Sequence, residues 1–399
     1  MIGTLFKLIF TRLIPVVILF VALLLGWLNT KMHPEGTFFA MVIPLAKGYI
    51  PPVISGGFSE CPVPPLAEGD LTLSSRPEKE QFITLPGIPE EEKGKTDILP
   101  KFQIPQQGIG MCCRPAAYDP ESVKRTLLWY LKLGGRHIDA ADLYINNEWI
   151  GEALQIAMKE YGIPREEIWV TTKLFPRMFG ENTTLEAVPR ILKELQLDYV
   201  DLLLMHAPKP LPTEFIGPKS DCTRKKLNPK ECRAETWKTL NQIRDNGQIR
   251  HLGVSNFVAR QVKEIQDLNM APVTNNQFQF NPWAPDHIYE TFDYCQQTGV
   301  SVTAYSSFQG TMMQHMKAFT VETLTKIAEK HNTTVPQILL KWAMQKGAIV
   351  IPGTSNPKHM AENLEAYNLH LSEEDMTEIS ALRKDESARK FIFQSPDDS

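Results

Sequence analysis

The sequence offers a metal no ligand set. Its six cysteines, at positions 61, 112, 113, 222, 232 and 295, form no Cys-x-x-Cys pair and have no histidine at ligand spacing, which excludes the zinc-site and small disulfide-scaffold classes. Charge of one sign is missing too. The 42 Lys and Arg nearly balance the 46 Asp and Glu, for a net charge of −4, so there is no basic excess to attract nucleic acid. Long apolar runs are absent except for one at the N-terminus. What remains is an ordinary folded composition of 399 residues, room for one large α/β domain of about 250 residues and an appendage.

The exceptional run comes first. From Leu13 to Thr30 eighteen residues carry no charge, with Lys7 and Arg12 before them and Lys31 after. A bilayer core takes about 20 apolar residues and a cleavable signal about 7–15, so the run lies between the two. The stretch Gly26 to Thr30 makes a poor cleavage region, and residues 1–31 are therefore expected to be an uncleaved, single-pass signal-anchor; a cleaved signal and a buried helix are the competing readings. Residues 32–100, with Pro51-Pro52, Gly56-Gly57 and the charged run Glu90 to Lys95, read as a Pro/Gly-rich linker or stalk. At its end Phe82 to Leu85 and Ile98 to Phe102 could pair as a hairpin under the next domain.

Beyond Gln103 short β-rich runs alternate with amphipathic stretches, the mark of parallel strands joined by crossover helices. Eight strands are expected: Gln107–Cys112, His137–Ala141, Ile168–Leu174, Val200–His206, His251–Asn256, Asn275–Phe280, Ser301–Ser306 and Ala348–Gly353. Asp119-Pro120-Glu121 opens one helix and Asp245-Asn246-Gly247 closes another. The fold class is an α/β (β/α)8 TIM barrel over residues 101–390, with 391–399 as a tail. Two long loops, Pro208 to Arg233 and Phe308 to Phe319, leave it on the face where barrels select substrates.

Four side chains with chemistry fall at the ends of consecutive strands: Asp139 and, five residues on, Tyr144; then Lys173; then His206. Taken singly each has a structural reading, an ion pair or a satisfied histidine. Together they carry a resemblance. The stretch Gly135 to Gly151, the strand Thr171-Thr172-Lys173-Leu174, the strand end Leu204-Met205-His206 and Gly253-Val254-Ser255-Asn256-Phe257 resemble the aldo-keto reductases, NAD(P)H-dependent carbonyl reductases on a (β/α)8 barrel. The spacings of 5, 29 and 33 residues between successive members of the tetrad also agree with that family.

The resemblance implies reduction of an aldehyde or ketone to an alcohol. Tyr144 would be the general acid, Lys173 would lower its pKa by favouring phenolate, Asp139 would hold Lys173, and His206 would orient the carbonyl. It also implies a dinucleotide held by Ser255, Asn256 and Gln277 at the carboxamide, Tyr305 under the nicotinamide ring, Ser306 at the pyrophosphate, Thr354, and Glu362 with Asn363 at the adenine. The eighth strand departs from the family. Where Ile-Pro-Lys-Ser and a following arginine usually clasp a 2′-phosphate, this chain has Gly353 and His359, so NADPH is the expected cofactor with NADH as a second possibility. No metal is expected. Asn281-Pro282-Trp283 replaces the usual His-Pro and is expected to support its loop.

Lys7 and Arg12 favour a cytosolic N-terminus, which for one span puts the barrel in the lumen of the endoplasmic reticulum or secretory pathway. Cys222 and Cys232, ten positions apart, could close a disulfide there. Asn182-Thr183-Thr184 and Asn332-Thr333-Thr334 are glycosylation sequons. Free thiols and helix caps are the plainer readings of the same residues, Lys31 weakens the charge bias, and most reductases of this family are cytosolic. The alternative function is a non-catalytic, nucleotide-binding subunit that senses redox state or docks partners at a membrane.

Overall fold

The computed structural model describes residues 80–86, 102–210, 220–308 and 321–384. The expected anchor (1–31), nearly all of the linker (32–100) and the tail (391–399) lie outside these residues. Among the described residues no helix is long and apolar enough to cross a membrane.

Eight strands form one parallel sheet in sequence order: β3 (Ile109–Gly110), β4 (His137–Asp139), β5 (Trp169–Leu174), β6 (Val200–Met205), β7 (Ile249–Ser255), β8 (Asn275–Gln279), β9 (Ser301–Tyr305) and β10 (Ala348–Val350). A parallel bridge from Gln107 to Val350, with the Gly108 amide donating to the Val350 carbonyl at 2.8 Å, joins the last strand to the first and closes the barrel. All eight expected strands are present, most of them shorter than the sequence suggested. β7 instead begins two residues earlier, at Ile249, because Val200 pairs with it there.

Strand alternation decides what lies inside. On β6, Leu203 and Met205 pack outward against the helices, whereas Leu202 and Leu204 join Trp169 and Ile349 in a separate cluster inside the barrel. On β5, the inward set that begins at Trp169 continues through Thr171 to Lys173. The lower layers mix these apolar side chains with buried polar ones that satisfy one another, Asn275 with Ser301 and Thr303 and His137 with Thr171, whereas Asp139 and Lys173 stand nearer the strands' C-terminal ends, which is where chemistry is placed in this architecture.

The floor is sealed by an antiparallel hairpin, β1 (Phe82–Thr84) against β2 (Gln103–Pro105), with Ile83 opposite Ile104. The sequence placed the second strand at Ile98 to Phe102. It forms immediately after that stretch, because this register turns Ile104 into the barrel, where it and Leu85 complete the inner cluster. His137 ties the floor to the wall: its Nδ1 lies 3.1 Å from the Pro105 carbonyl and its Nε2 3.2 Å from Thr171 Oγ1. Burial lowers its pKa to about 4, so the ring is neutral. A Cβ at Gly108 would stand 2.8 Å from that ring, leaving room for glycine alone.

Around the barrel run α1 (Pro120–Lys132), α2 (Asn147–Lys159), α3 (Glu181–Leu195), α4 (Asp221–Arg224), α5 (Pro229–Asp245), α6 (Ala259–Gln266), α7 (Asp286–Gln297), α8 (Glu322–Lys330), α9 (Val335–Gln345), α10 (Pro357–Glu365) and α11 (Glu373–Ala381). The expected signals are in use: Asp119 accepts from the Ser122 amide at 2.8 Å to cap α1, and Gly247 follows α5 at φ 83°. The stretch expected to be a loop up to Arg233 is partly helical. α4 occupies part of it, and α5 starts at Pro229 with a capping box between Asn228 and Glu231.

A disulfide joins Cys222 to Cys232, with Cα atoms 5.3 Å apart. Asp221, beside it, accepts from the Asn182 amide at 2.6 Å, which pins this stapled unit onto the start of α3. Cys112 and Cys113 sit side by side in the loop after β3. Cys295 is buried and free.

Candidate active site

The four tetrad candidates meet at the mouth of the barrel. Lys173, on the inner face of β5, is fully buried and donates three hydrogen bonds from Nζ: to Asp139 Oδ1 at 2.5 Å, to the Ala140 carbonyl at 2.9 Å and to the Tyr144 hydroxyl at 3.1 Å. Tyr144 is brought there by a single 3₁₀ turn, Asp142–Tyr144, that ends in Ile145 at φ 55°. Asp139 is also held on its other oxygen, where Gln277 Nε2 donates at 2.7 Å. The His206 ring stands edge-on to Tyr144, with centroids 5.9 Å apart.

Burial controls the protonation states. It lowers the pKa of Lys173, and the Asp139 charge pulls the other way and keeps the ammonium. Burial followed by the Lys173 charge holds His206 well below its ordinary value, so it is a neutral imidazole. Its Nδ1 is buried without a hydrogen-bond partner; a lone pair left there costs less than an unpaired N–H, which favours the proton on Nε2. Tyr144 departs from expectation. The sequence predicted a pKa lowered by Lys173, but burial and then the Asp139 charge raise it well above the phenol value. Desolvation is the larger cause, and the carboxylate acts in the same direction.

The residues expected to hold a dinucleotide form the next ring. Ser255 Oγ donates to the Gln277 carbonyl at 2.9 Å, the Tyr305 hydroxyl to Asn256 Oδ1 at 2.8 Å, and Asn256 Nδ2 to the His206 carbonyl at 2.9 Å. Asn256 and Ser306 both sit in the left-handed region, at φ 65° and 52°. Asn281 explains how the second is held, since its Nδ2 donates to the Ser306 carbonyl at 3.2 Å; the Asn-Pro-Trp departure supports its loop, as expected.

Farther out the expected set is looser. Thr354 Oγ1 accepts from the Asn356 amide at 3.1 Å. The Asn363 carbonyl accepts from Gln107 at 2.7 Å, and Glu362 lies 3.8 Å from Lys358. His359 is exposed on α10. Gly353 has a neighbour that sequence reasoning missed: a Cβ there would lie 3.2 Å from Arg114 Nη1. Arg114 stands 239 positions away in the chain, and no local pattern marks it.

A closed parallel barrel with a buried lysine–carboxylate pair under a phenol at its C-terminal mouth defines an enzyme of the barrel oxidoreductase class. The model of the Aldo/keto reductase family matches residues 108–384. The glyoxal reductase of Bacillus subtilis (strain 168) is 36% identical over 268 residues, 67% of this chain and 84% of that protein. An aldehyde reductase of Saccharomyces cerevisiae is 32% identical over 272 residues, 66% of this chain and 83% of its own. Among solved structures, a Bombyx mori aldo-keto reductase in complex with NADP is similar, with a TM-score of 0.64 and 26% identity over 77% of this chain and 93% of that one. The chain belongs to the aldo/keto reductase family and is an oxidoreductase.

Proposed function

We propose that this protein reduces an aldehyde or ketone to an alcohol, with Asp139, Tyr144, Lys173 and His206 as its catalytic group. The observation that carries the proposal is the Lys173 ammonium, bonded at once to Asp139 and to the Tyr144 hydroxyl. A nicotinamide dinucleotide supplies the hydride. The donor set fits such a molecule: amides and hydroxyls from Ser255, Asn256, Gln277 and Thr354 ring the mouth beside an aromatic face, Tyr305. NADPH is the proposed cofactor, supported by the NADP-bound relative, and NADH is a second candidate because Gly353 replaces a lysine. Ser306, Glu362 and Asn363 complete the proposed contacts.

The protein's own part is proton transfer and orientation. Tyr144 gives its hydroxyl proton to the carbonyl oxygen as hydride reaches the carbon, so one C–H and one O–H bond form. The phenolate left behind is stabilised by Lys173, 3.1 Å away, whose charge Asp139 and Gln277 hold in place. Neutral His206 donates a hydrogen bond to the oxygen as negative charge grows there. The contacts form a proton-donating unit, which favours an enzyme over a binding subunit. The test is consumption of NADPH and of NADH against a panel of small aldehydes, including glyoxal, the compound named for one relative. Turnover with at least one aldehyde is expected; its absence across the panel with both cofactors would sink the proposal.

We further propose that residues 1–31 anchor the protein in a membrane of the secretory pathway with the barrel in the lumen. Support comes from the apolar run Leu13 to Thr30, from the Cys222–Cys232 disulfide, and from the exposure of both sequon residues, Asn182 and Asn332. Treating protein from its native membrane with an endoglycosidase should increase its gel mobility. An unchanged mobility, with protease reaching the barrel in intact vesicles, would place it on the other side.

A further inference from the structure

Arg114 lies in the loop after β3, on the face of the barrel that carries the site. Its Nη1 donates to the Gly110 carbonyl at 2.7 Å and to the Cys112 carbonyl at 3.2 Å. Its other edge is unsatisfied: Nε and Nη2 are shut off from water and have no acceptor. Among the described residues no carboxylate forms an ion pair with it, and burial is the larger influence on its pKa. Two charged donors so placed are costly to leave unmet, because they have given up water and gained no acceptor in exchange.

Two features say what would satisfy it. The free edge, Nε with Nη2, is the edge of a guanidinium that meets two oxygens of one phosphate or carboxylate side by side. Its place is also specific. Nη1 lies 3.2 Å from where a Cβ of residue 353 would be, and Gly110, whose carbonyl it holds, would itself meet the Ile351 carbonyl at 2.9 Å if it carried a Cβ. The ends of the first and eighth strands are therefore in contact here, and the absent side chain of Gly353 leaves the space in which the Arg114 head sits. Exposed Lys358 and His359 on α10 stand in no such enclosure.

We infer that Arg114 is the phosphate-binding cation of the cofactor site, its Nη1 seated where Gly353 leaves room and its Nε/Nη2 edge taking two oxygens of one dinucleotide phosphate. The inference rests on the dinucleotide reading above and adds a residue to it. The buried cation gains its counter-charge on binding, and the lysine missing from the eighth strand is replaced from the first. Burial lowers the pKa of Arg114 to about 10, so it stays charged at neutral pH.

The test is calorimetric titration of the full-length chain and two variants with NADPH and with NADH. Arg114→Gln keeps an amide to meet the Gly110 carbonyl but brings no charge; Arg114→Met removes both. Loss of a charged, paired hydrogen bond should weaken binding by about 10- to 100-fold. A loss confined to NADPH assigns the contact to the 2′-phosphate, and an equal loss for both assigns it to the pyrophosphate; either upholds the inference. Affinities within about twofold of wild type in either folded variant, judged by an unchanged circular dichroism spectrum, would overturn it and leave the reductase reading standing. Failure of the wild type to bind either dinucleotide would remove both.

Discussion

Tyr144→Phe should lower the turnover number for NADPH-dependent aldehyde reduction by about 10²- to 10⁴-fold, the range that a positioned proton donor contributes. NADPH affinity should be unchanged, because the hydroxyl touches Lys173 and none of Ser255, Asn256 or Gln277. The fold should persist as well. Lys173 loses one of its three hydrogen bonds and retains Asp139 and the Ala140 carbonyl. The pH dependence follows from the shifts. Burial and the Asp139 charge raise the Tyr144 pKa, so the protonated donor is present at every pH below that raised value and the reductive rate should be flat through neutrality. It should fall only in strong alkali, while alcohol oxidation, which needs the phenolate, should rise over the same range. His206 adds no acid limb between pH 6 and 8, because burial and Lys173 keep it neutral there. Steady-state rates of wild type and variant across that range decide the matter, and a variant as fast as wild type would refute the assignment of Tyr144.

Asp139→Ala should cost about 3–5 kcal/mol of stability, since it leaves the Lys173 ammonium buried and unpaired. The double variant, Asp139→Ala with Lys173→Met, should be more stable than the single one despite carrying the extra change, because it removes the stranded charge. The sign with pH is fixed. Without its carboxylate, Lys173 has a folded-state pKa depressed below its unfolded value, so the unfolded chain binds the proton more readily and stability recovers as pH rises toward the unfolded pKa. Thermal unfolding of the three proteins at pH 6 and pH 9 measures both effects. If the double variant melts below the single one at pH 6, the pair is not the linked unit described here.

The strands, and the meeting of the four side chains at one barrel mouth, were legible because both are written locally. A buried parallel strand is a run of apolar residues, and Asp139, Tyr144, Lys173 and His206 each follow such a run by a short, countable interval. The Cys222–Cys232 bond was legible as a possibility because its partners are close in sequence. Contacts made across the barrel were not. Gln277 reaches Asp139 over 138 positions, and Arg114 meets the space at Gly353 only because the first and eighth strands close on each other. The sign of the Tyr144 shift was missed for a related reason. It depends first on how little water reaches the hydroxyl and then on where the Asp139 charge stands, and neither quantity is carried by residue types. The register of β2 turned on which side chain could plug the floor.

That plug has a consequence for traffic through the site. Leu85 and Ile104 stopper the barrel from below, so everything that reacts must come and go by the upper opening. The two cargoes do not reach equally deep: Ser255 and Gln277 are almost wholly enclosed, whereas Tyr144 and His206 keep part of their surface at the rim. For the reaction proposed above, the two-stranded hairpin on the far side of the molecule thus leaves a dinucleotide and a carbonyl one shared doorway.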